Sequence, residues 1–244
     1  MKKMKINLLV TIFDNILSLI YPKRCIGCNE ILKVNDKENF CSKCLPQFQI
    51  KEVRRCNICG RIIYHSGNCR GCNSNNFYFT KGYSVFEYKD AVRDSVRIFK
   101  YRGLFCNGKV IGKIMAEYAI NNIELDYDYV TAVPLHPKRY RSRGYNQSEI
   151  LAKIVAKAIN VQYCRLLERH INTEPQNSLS KKERTKNIKG AFRLKKNVNI
   201  ENKKILIIDD IFTTGSTINE CSKVLKKNKA LFVDFFTFSC LGED

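Results

Sequence analysis

Residues 205–217 read ILIIDDIFTTGST, a hydrophobic run followed by two carboxylates and a glycine turn. The run does not alternate between apolar and polar residues, which is typical of a central parallel strand buried on both faces. The pattern predicts a strand over 204–209 and a helix over about 216–227. Neither GxxxxGK nor GxGxxG is present, which disfavours a nucleoside-triphosphate P-loop and a dinucleotide-binding fold.

The turn after this strand has the residue types that bind a phosphate ester. Its backbone N–H groups can wrap a monophosphate, Gly215 allows close approach, and the helix N-terminus adds partial positive charge. The two carboxylates can accept hydrogen bonds from a ribose diol, because ligands of open α/β sheets bind at the carboxyl ends of the strands. The predicted sugar-phosphate site comprises Asp209, Asp210, Thr213, Thr214, Gly215, Ser216 and Thr217.

Strands and helices alternate along the rest of the chain after the first 75 residues. This alternation predicts an α/β fold in which a parallel sheet is covered by helices on both faces. Apolar patterns predict strands at 83–88, 129–135 and 231–238, and helices at about 90–101, 108–119 and 146–159.

The first 75 residues have a different composition. Eight of the twelve cysteines lie between Cys25 and Cys72. The region has few long apolar runs, so it needs a source of stability other than a hydrophobic core. We therefore predict two domains, residues 1–75 and residues 76–244.

The clustered cysteines form four CxxC pairs, and each pair places two thiolates on one side of a tight turn. Two pairs supply the four sulfur ligands that zinc prefers. Disulfides are the competing interpretation, but they would be unusual in a cytosolic chain. Pairing sequential neighbours predicts two structural zinc ions, and one zinc with leftover thiols is the alternative. The predicted ligand sets are Cys25, Cys28, Cys41 and Cys44, and Cys56, Cys59, Cys69 and Cys72.

Residues 8–20 repeat apolar side chains near a helical period, which predicts an amphipathic helix packed on the rest of the protein. Asp14 and Asn15 interrupt this stretch. Nothing in the chain reaches the roughly 18 uninterrupted apolar residues of a membrane span. We expect a cytoplasmic protein with no membrane span.

The chain carries 43 Lys and Arg against 23 Asp and Glu, a formal charge of +20. This excess favours a polyanionic partner, either nucleic acid or an anionic membrane surface. An AT-rich genome, which fills surfaces with lysine and asparagine, is the alternative. Arg93, Arg97 and Lys100 fall at i, i+4 and i+7 of a predicted helix, where they can bind single-stranded DNA or form a solvated face.

The segment DDIFTTGST (209–217) resembles the phosphoribosyl pyrophosphate motif of type I phosphoribosyltransferases. Segments 133–152 and 169–192, together with the cysteine pairs, resemble the ComF family, and this resemblance covers nearly the whole chain. It implies a phosphoribosyltransferase-type (Rossmann-like) fold after a double zinc ribbon, and a role in DNA uptake during natural transformation. It also implies that the acidic pair binds the ribose hydroxyls and the turn binds the 5′-phosphate of phosphoribosyl pyrophosphate, with Mg²⁺.

Two further segments have counterparts in the phosphoribosyltransferases. Residues 134–138 follow a strand, as the pyrophosphate-binding loop does, so Lys138 and Arg139 would bind pyrophosphate, with a solvated basic loop as the alternative. Residues 169–190 resemble the hood of these enzymes, from which Arg184 would close over the ligand. A plain surface loop is an equal alternative for this segment.

Three functions are consistent with these features. The first is a ComF-type protein that handles single-stranded DNA and carries the phosphoribosyl site as a ligand or regulatory site. The second is an enzyme that transfers phosphoribose to an unidentified acceptor. The third is an adaptor whose ribbons dock a competence helicase or an inner-membrane DNA channel. Glutamine-dependent amidotransfer is disfavoured because Lys2 stands where that chemistry needs a nucleophilic cysteine, and we favour the first function.

Overall fold

The computed structural model of the chain describes residues 22–33, 36, 39–101, 105–124, 126–173 and 181–243, with the backbone alone for residues 105, 181, 182 and 184. The strands are β1 (Gly82–Glu87), β2 (Tyr129–Ala132), β3 (Gln162–Tyr163), β4 (Leu167–Arg169), β5 (Phe192–Leu194), β6 (Lys204–Phe212) and β7 (Phe232–Cys240). The helices are α1 (Arg70–Asn73), α2 (Asp90–Tyr101), α3 (Phe105–Asn122), α4 (Pro137–Arg143), α5 (Gln147–Ala158), α6 (Lys181–Ile188) and α7 (Ser216–Lys227).

Within these described ranges, no helix combines the length and the apolar character that crossing a bilayer requires. The predicted N-terminal helix at 8–20 lies outside the described residues.

Five strands form a parallel sheet in the order β1-β7-β6-β2-β3, which places β6 at its centre. Strands β4 and β5 form a separate antiparallel pair. The four residues from Ile205 to Ile208 are fully buried, as the run without alternation predicts. This order brings the carboxyl end of β6 between those of β2 and β7, where two neighbouring strands can contribute to one site.

Helices cover both faces of the sheet, which confirms the predicted α/β class. On one face, Leu206 and Ile208 pack in an apolar cluster with buried side chains of α2, α3 and α5. On the other face, Ile205 and Ile207 pack in a second cluster with α7 and the β4–β5 pair. The sequence patterns gave no signal for the short elements β3, β4, β5, α4 and α6.

The predictions for two strand ends are wrong. The ladder between β6 and β7 continues to the Phe212–Cys240 pair, so Asp209 and Asp210 lie inside the strand rather than at its end. Strand β2 stops at Ala132 instead of residue 135. The amide of Val133 still donates to the Ile208 carbonyl over 3.0 Å, but the next residue is a proline and has no N–H group to continue the ladder.

The cysteine-rich segment shares its core with the sheet. Cys25, Cys41 and Cys44 belong to the same buried cluster as α2 and α3. In that cluster, the Phe48 ring contacts the Phe86 ring at a centroid distance of 5.9 Å. The cysteines from Cys56 to Cys72 belong to the cluster on the opposite face. The cysteine pairs therefore pack against the sheet in addition to supplying the predicted metal ligands.

The second cysteine cluster abuts the start of β1 and requires a glycine there. Gly60 has a φ of +67°, and a Cβ atom built on it would lie 2.2 Å from the Gly82 carbonyl oxygen. The amide of Gly82 donates to the Ile58 carbonyl over 2.7 Å. A side chain at Gly60 would therefore add backbone strain and a steric clash at the same point.

Arg61, two residues after Cys59, connects the second cysteine cluster to the end of β6. Its Nη1 donates to the Gly242 carbonyl over 2.9 Å, and its Nη2 donates to the Thr213 carbonyl over 2.6 Å. The guanidinium lies 5.7 Å from the centre of the Phe212 ring, and the Arg61 carbonyl accepts from the amide of Cys56 over 2.8 Å. A single residue thus bonds both to a cysteine of the cluster and to the first residue of the glycine turn (213–217).

We predict that Arg61→Met leaves the fold intact but loosens the glycine turn, because two hydrogen bonds to backbone carbonyls are lost. Amide hydrogen exchange of Asn219 and Leu241, whose amides donate to the carbonyls of Gly215 and Phe212 beside the turn, should accelerate by about tenfold, the effect expected for local opening that becomes easier by about 1.4 kcal/mol. Arg54→Met is the matched control, since the Arg54 side chain is exposed. Equal exchange rates in the two variants would contradict this role for Arg61.

Candidate functional site

The eight predicted zinc ligands form two clusters, and in each cluster the four ligand atoms lie within 4.8 Å of one another. The sulfur atoms of Cys28 and Cys41 are 3.8 Å apart, and those of Cys59 and Cys69 are 3.7 Å apart. Zinc with bonds of about 2.3 Å to a tetrahedron of sulfurs requires a sulfur–sulfur distance of about 3.8 Å, whereas a disulfide requires about 2.05 Å. The predicted pairing of sequential neighbours is confirmed, and both donor sets fit structural zinc.

Backbone amides donate hydrogen bonds to two of the predicted zinc ligands. The Cys41 amide donates to the sulfur of Cys25, and the Cys69 amide donates to the sulfur of Cys56, each over 3.3 Å. Such bonds stabilise thiolate over thiol and orient the ligand atom. When zinc is bound, it cross-links segments that bury little apolar surface of their own.

The two acids of β6 have different partners. One oxygen of Asp209, Oδ1, accepts from the Ser148 hydroxyl over 2.7 Å and from the Asp210 amide over 2.9 Å. Oδ1 of Asp210 forms an ion pair of 2.8 Å with the Lys100 ammonium. Within the described part of the chain, the Oδ2 atoms of both carboxylates have no hydrogen-bond partner. Each acid thus keeps one oxygen available to accept from a ligand hydroxyl.

Burial, and next the negative charge of Asp210, raises the pKa of Asp209 to about 7, although the Ser148 hydroxyl and Lys100 act in the opposite direction. Burial alone would lower the pKa of Lys100, but the Asp210 carboxylate outweighs this effect and raises it. Two adjacent acids in a buried strand therefore share one lysine cation. A second cation or several donor hydroxyls would relieve the remaining negative charge.

The glycine turn begins directly after β6. Gly215 has a φ of +79°, precedes the first residue of α7 and lies against the Phe212 ring. The Thr214 and Ser216 hydroxyl oxygens are 2.9 Å apart, and Thr217 lies in the first turn of α7. Among the described residues, the amides of 213–215 donate to no protein acceptor. A turn with three unbonded amides at a helix N-terminus is a suitable anion site.

The loop after β2 is placed beside this site by its own hydrogen bonds. His136 caps α4 by accepting from the Lys138 amide over 3.2 Å. Asn146 caps α5 and donates to the Val133 carbonyl over 3.0 Å. The Lys138 side chain is exposed, whereas Arg139 is half-buried and donates to the Thr173 carbonyl over 2.7 Å. Of the two predicted pyrophosphate contacts, only Lys138 reaches freely into solvent.

The predicted hood forms a helix at its C-terminal part. Residue Arg184 lies in α6, and its side chain falls outside the described residues. Helix α6 contacts the glycine turn, because the Thr185 hydroxyl lies 2.9 Å from the Ser216 hydroxyl. The predicted role of Arg184 over the ligand stays a prediction.

The basic face predicted on α2 is divided. Lys100 does not extend from a shared surface with Arg93 and Arg97, because it is held on Asp210. Arg97 is exposed, and Arg93 is half-buried next to Asp94. Its ion pair with a buried carboxylate disfavours Lys100 as a DNA contact, but that contact stays a prediction. The DNA contacts of Arg93 and Arg97 stay predictions.

Three contacts of the site were not predicted from the sequence. Ser148 lies 61 positions from Asp209, Arg61 lies 152 positions from Thr213, and Lys100 lies 110 positions from Asp210. No local sequence pattern spans such separations. A signal existed only for Ser148, which lies in the first turn of a helix that Asn146 caps.

Comparisons with known proteins agree with both halves of this description. A double zinc ribbon domain matches residues 16–73, and a phosphoribosyl transferase domain matches residues 146–238. Competence protein ComFC of Streptococcus pneumoniae is 31% identical over 232 residues, which cover 88% of this chain and 98% of that protein. Competence protein F of Haemophilus influenzae is 29% identical over 212 residues, covering 84% and 91%. DNA utilization protein YhgH of Escherichia coli is 35% identical over 107 residues, covering 43% and 46%.

The two sulfur clusters, the parallel sheet and the acidic pair before a glycine turn define a zinc-ribbon protein with a phosphoribosyltransferase-type domain. The likeness to the competence proteins extends over nearly their full length. The chain belongs to the ComF family.

The raised pKa of Asp209 gives a pH-dependent stability. The unfolded carboxyl has a pKa of about 3.9, so between about pH 4 and pH 7 the folded protein holds a proton that the unfolded chain has released. Wild-type stability therefore falls as the pH rises through this window. Relative to wild type, Asp209→Asn should become progressively more stable from pH 4 to 7 and then level off, as measured by denaturant unfolding.

Asp128→Asn is the control with the opposite sign, because the Lys204 amide and then Lys203 lower the pKa of Asp128. Relative to wild type, this variant should become less stable as the pH rises from 3 to 5. A parallel pH dependence of wild type and Asp209→Asn would show that the carboxyl titrates normally.

Proposed function

We propose that this protein binds phosphoribosyl pyrophosphate at the end of β6 and acts in DNA uptake. This proposal rests on two carboxylates and a turn that starts three residues after them. In the described part of the chain, one oxygen of each carboxylate and three amides of the turn have no hydrogen-bond partner. A sugar that carries a diol on one side and a phosphate ester on the other matches this arrangement. A diol alone would not require the turn amides, and a phosphate ester alone would not require the carboxylates.

The amides of residues 213–215 and the N-terminus of α7 bind the 5′-phosphate. The Oδ2 atoms of Asp209 and Asp210 accept from the ribose hydroxyls. Lys138, Arg139 and Arg184 supply positive charge to the pyrophosphate. Carboxylate and phosphate oxygens are the ligands that Mg²⁺ takes, so the metal enters with the sugar pyrophosphate.

The role in DNA uptake is supported by the names of the relatives, which are competence and DNA utilization proteins. The formal charge of +20 supports a nucleic-acid partner. Two features of the surface suit single-stranded DNA. Arg97 on α2 is exposed, and at the end of the same helix Tyr101 is 62% exposed with the Arg143 guanidinium 5.4 Å from its ring centre. A base can stack on an aromatic ring beside cations that bind the backbone.

Asp209→Asn combined with Asp210→Asn should weaken phosphoribosyl pyrophosphate binding by on the order of a hundredfold or more, because two charge-assisted hydrogen bonds to the diol are lost. Isothermal titration calorimetry in the presence of Mg²⁺ measures this change. Asp128→Asn removes a carboxylate near the start of β6, at the opposite end of the sheet, and should have no effect. Unchanged affinity in the double variant would exclude the site, and pyrophosphate release with an added acceptor would show transferase activity.

The logarithm of the binding constant for single-stranded DNA should fall linearly with the logarithm of the salt concentration, because each phosphate contact releases counterions. Arg93→Gln with Arg97→Gln should reduce the slope by up to about 1.4, since roughly 0.7 is lost per phosphate contact of a single strand. Lys100→Met is the matched control from the same helix, and its slope should equal that of wild type because Lys100 is bound to Asp210. A slope that changes only in Lys100→Met would place DNA over the acidic pair instead of on the surface of α2.

A further inference from the structure

A cavity lies apart from the glycine turn. Its volume is about 630 Å³, and none of residues 209–217 lines it. It is bounded by the loop after β2, by α4 and by the β4–β5 pair. Its walls include the rings and apolar side chains of Leu135, His136, Tyr140, Tyr163 and Leu167. A volume of this order suits a small organic ligand rather than a single ion.

Positive charge in this cavity exceeds negative charge. Its two acids are already paired, Glu149 with Arg165 at 3.1 Å and Glu168 with Arg193 at 2.5 Å. The other cations that line the cavity have no carboxylate within 4.0 Å among the residues described. They are Arg141, Arg169 and Lys195.

Arg169 is the buried cation of this set, with 6% of its surface exposed. Its Nη2 donates to the Thr173 hydroxyl, and its guanidinium lies 5.6 Å from the Phe192 ring centre. Its Nε is buried and has no hydrogen-bond partner. Its Nη1 also has no partner within the described residues, but this atom is accessible to solvent. Most of the donors of this guanidinium therefore have no acceptor among the residues that the structure describes.

A second guanidinium bonds to the same residue, Thr173. Arg139 donates to the carbonyl of Thr173, the residue whose hydroxyl accepts from Arg169. Burial, and next the charge of Arg139, lowers the pKa of Arg169 to about 10. Burial, and next the charge of Arg169, lowers the pKa of His136. Asp209 acts in the opposite direction on Arg169 but does not offset burial and Arg139. Holding a buried cation beside a like charge is costly unless an anion binds there.

We propose that this cavity binds a nucleoside 5′-monophosphate, with the phosphate on Arg169 and the base against the aromatic wall. The phosphate supplies the counter-charge that Arg169 and Arg139 lack, and the ring fills the part of the cavity that a free phosphate would leave. The ligand is either a free nucleotide or the 5′-terminal nucleotide of a DNA strand, which present the same group. The site shares Arg139 with the proposed phosphoribosyl pyrophosphate site, but it uses no amide of the glycine turn, and no carboxylate of β6 lines it.

The test titrates full-length protein with dTMP, thymidine, inorganic phosphate, and 5′-phosphorylated and 5′-hydroxyl dT8. In wild type, dTMP should bind at least about tenfold more tightly than thymidine or inorganic phosphate, the loss expected when one charge-assisted contact or the ring is removed. Arg169→Met should reduce dTMP affinity by at least about tenfold. Arg193→Met is the matched control, since it removes the same charge from a residue already paired with Glu168, and should change affinity by less than about twofold.

Two outcomes identify the source of the nucleotide. Tighter binding of phosphorylated dT8 than of hydroxyl dT8, lost in Arg169→Met, supports the end of a DNA strand as the ligand. Binding of dTMP with no difference between the two oligonucleotides supports a free nucleotide. If thymidine binds as tightly as dTMP, or if dTMP does not bind, the proposal is overturned.

The glycine turn is the competing location for the phosphate. Ser216→Ala with Thr217→Val removes two turn hydroxyls and should leave dTMP affinity unchanged, whereas it weakens phosphoribosyl pyrophosphate. Loss of dTMP binding in this variant, with retention in Arg169→Met, would place the nucleotide at the turn and overturn the proposal.

Thermal unfolding without ligand separates a binding role from a structural one. Removing an unpaired buried charge should leave the melting temperature of Arg169→Met equal to or above that of wild type. A clearly lower melting temperature would show that Arg169 serves the fold, and would overturn the proposal even if dTMP affinity also falls.

Discussion

Two neighbouring carboxylates in the buried end of a central strand impose the main constraint on this protein. Such a pair is tolerated only where cations and hydroxyl donors reach it. Lys100 from α2 and Ser148 from the first turn of α5 do so, each through one oxygen of its acid. Helices α2 and α5, which cover this face of the sheet together with α3, are therefore tied to the site as well as to the core. Two carboxylate oxygens and three turn amides have no partner among the described residues, and these groups are the ones proposed to contact the ligand.

The zinc-ribbon half contributes to the same site from the other direction. Its cysteine clusters pack into both apolar clusters of the sheet, so metal and core stabilise one another. Arg61 extends from the second cluster to the Thr213 carbonyl and thereby holds the start of the glycine turn. The ribbons are thus part of the support of the glycine turn, through the bond from Arg61 to Thr213.

Local sequence patterns predicted the parts of the structure that depend on local chemistry. The run from Ile205 to Ile208 identified the central strand, and the CxxC spacing identified both sulfur clusters, because each depends on residues close together in the chain. The end of β6 was missed because a strand continues as long as its neighbour pairs with it, and β7 lies 20 residues away. Lys100 looked like a surface residue for the same reason, since only the folded chain shows that Asp210 faces α2. The Arg169 cavity depends on segments from β2 to β5 and has no linear motif.

A crystal structure of the protein grown with phosphoribosyl pyrophosphate and Mg²⁺ tests the central claim most directly. We expect the ribose hydroxyl oxygens within about 3.2 Å of Asp209 and Asp210, and the 5′-phosphate within the same distance of the amides of residues 213–215. The Lys100 ammonium should remain on Asp210. A sugar phosphate bound elsewhere, or turn amides bonded to protein carbonyls in the complex, would contradict it.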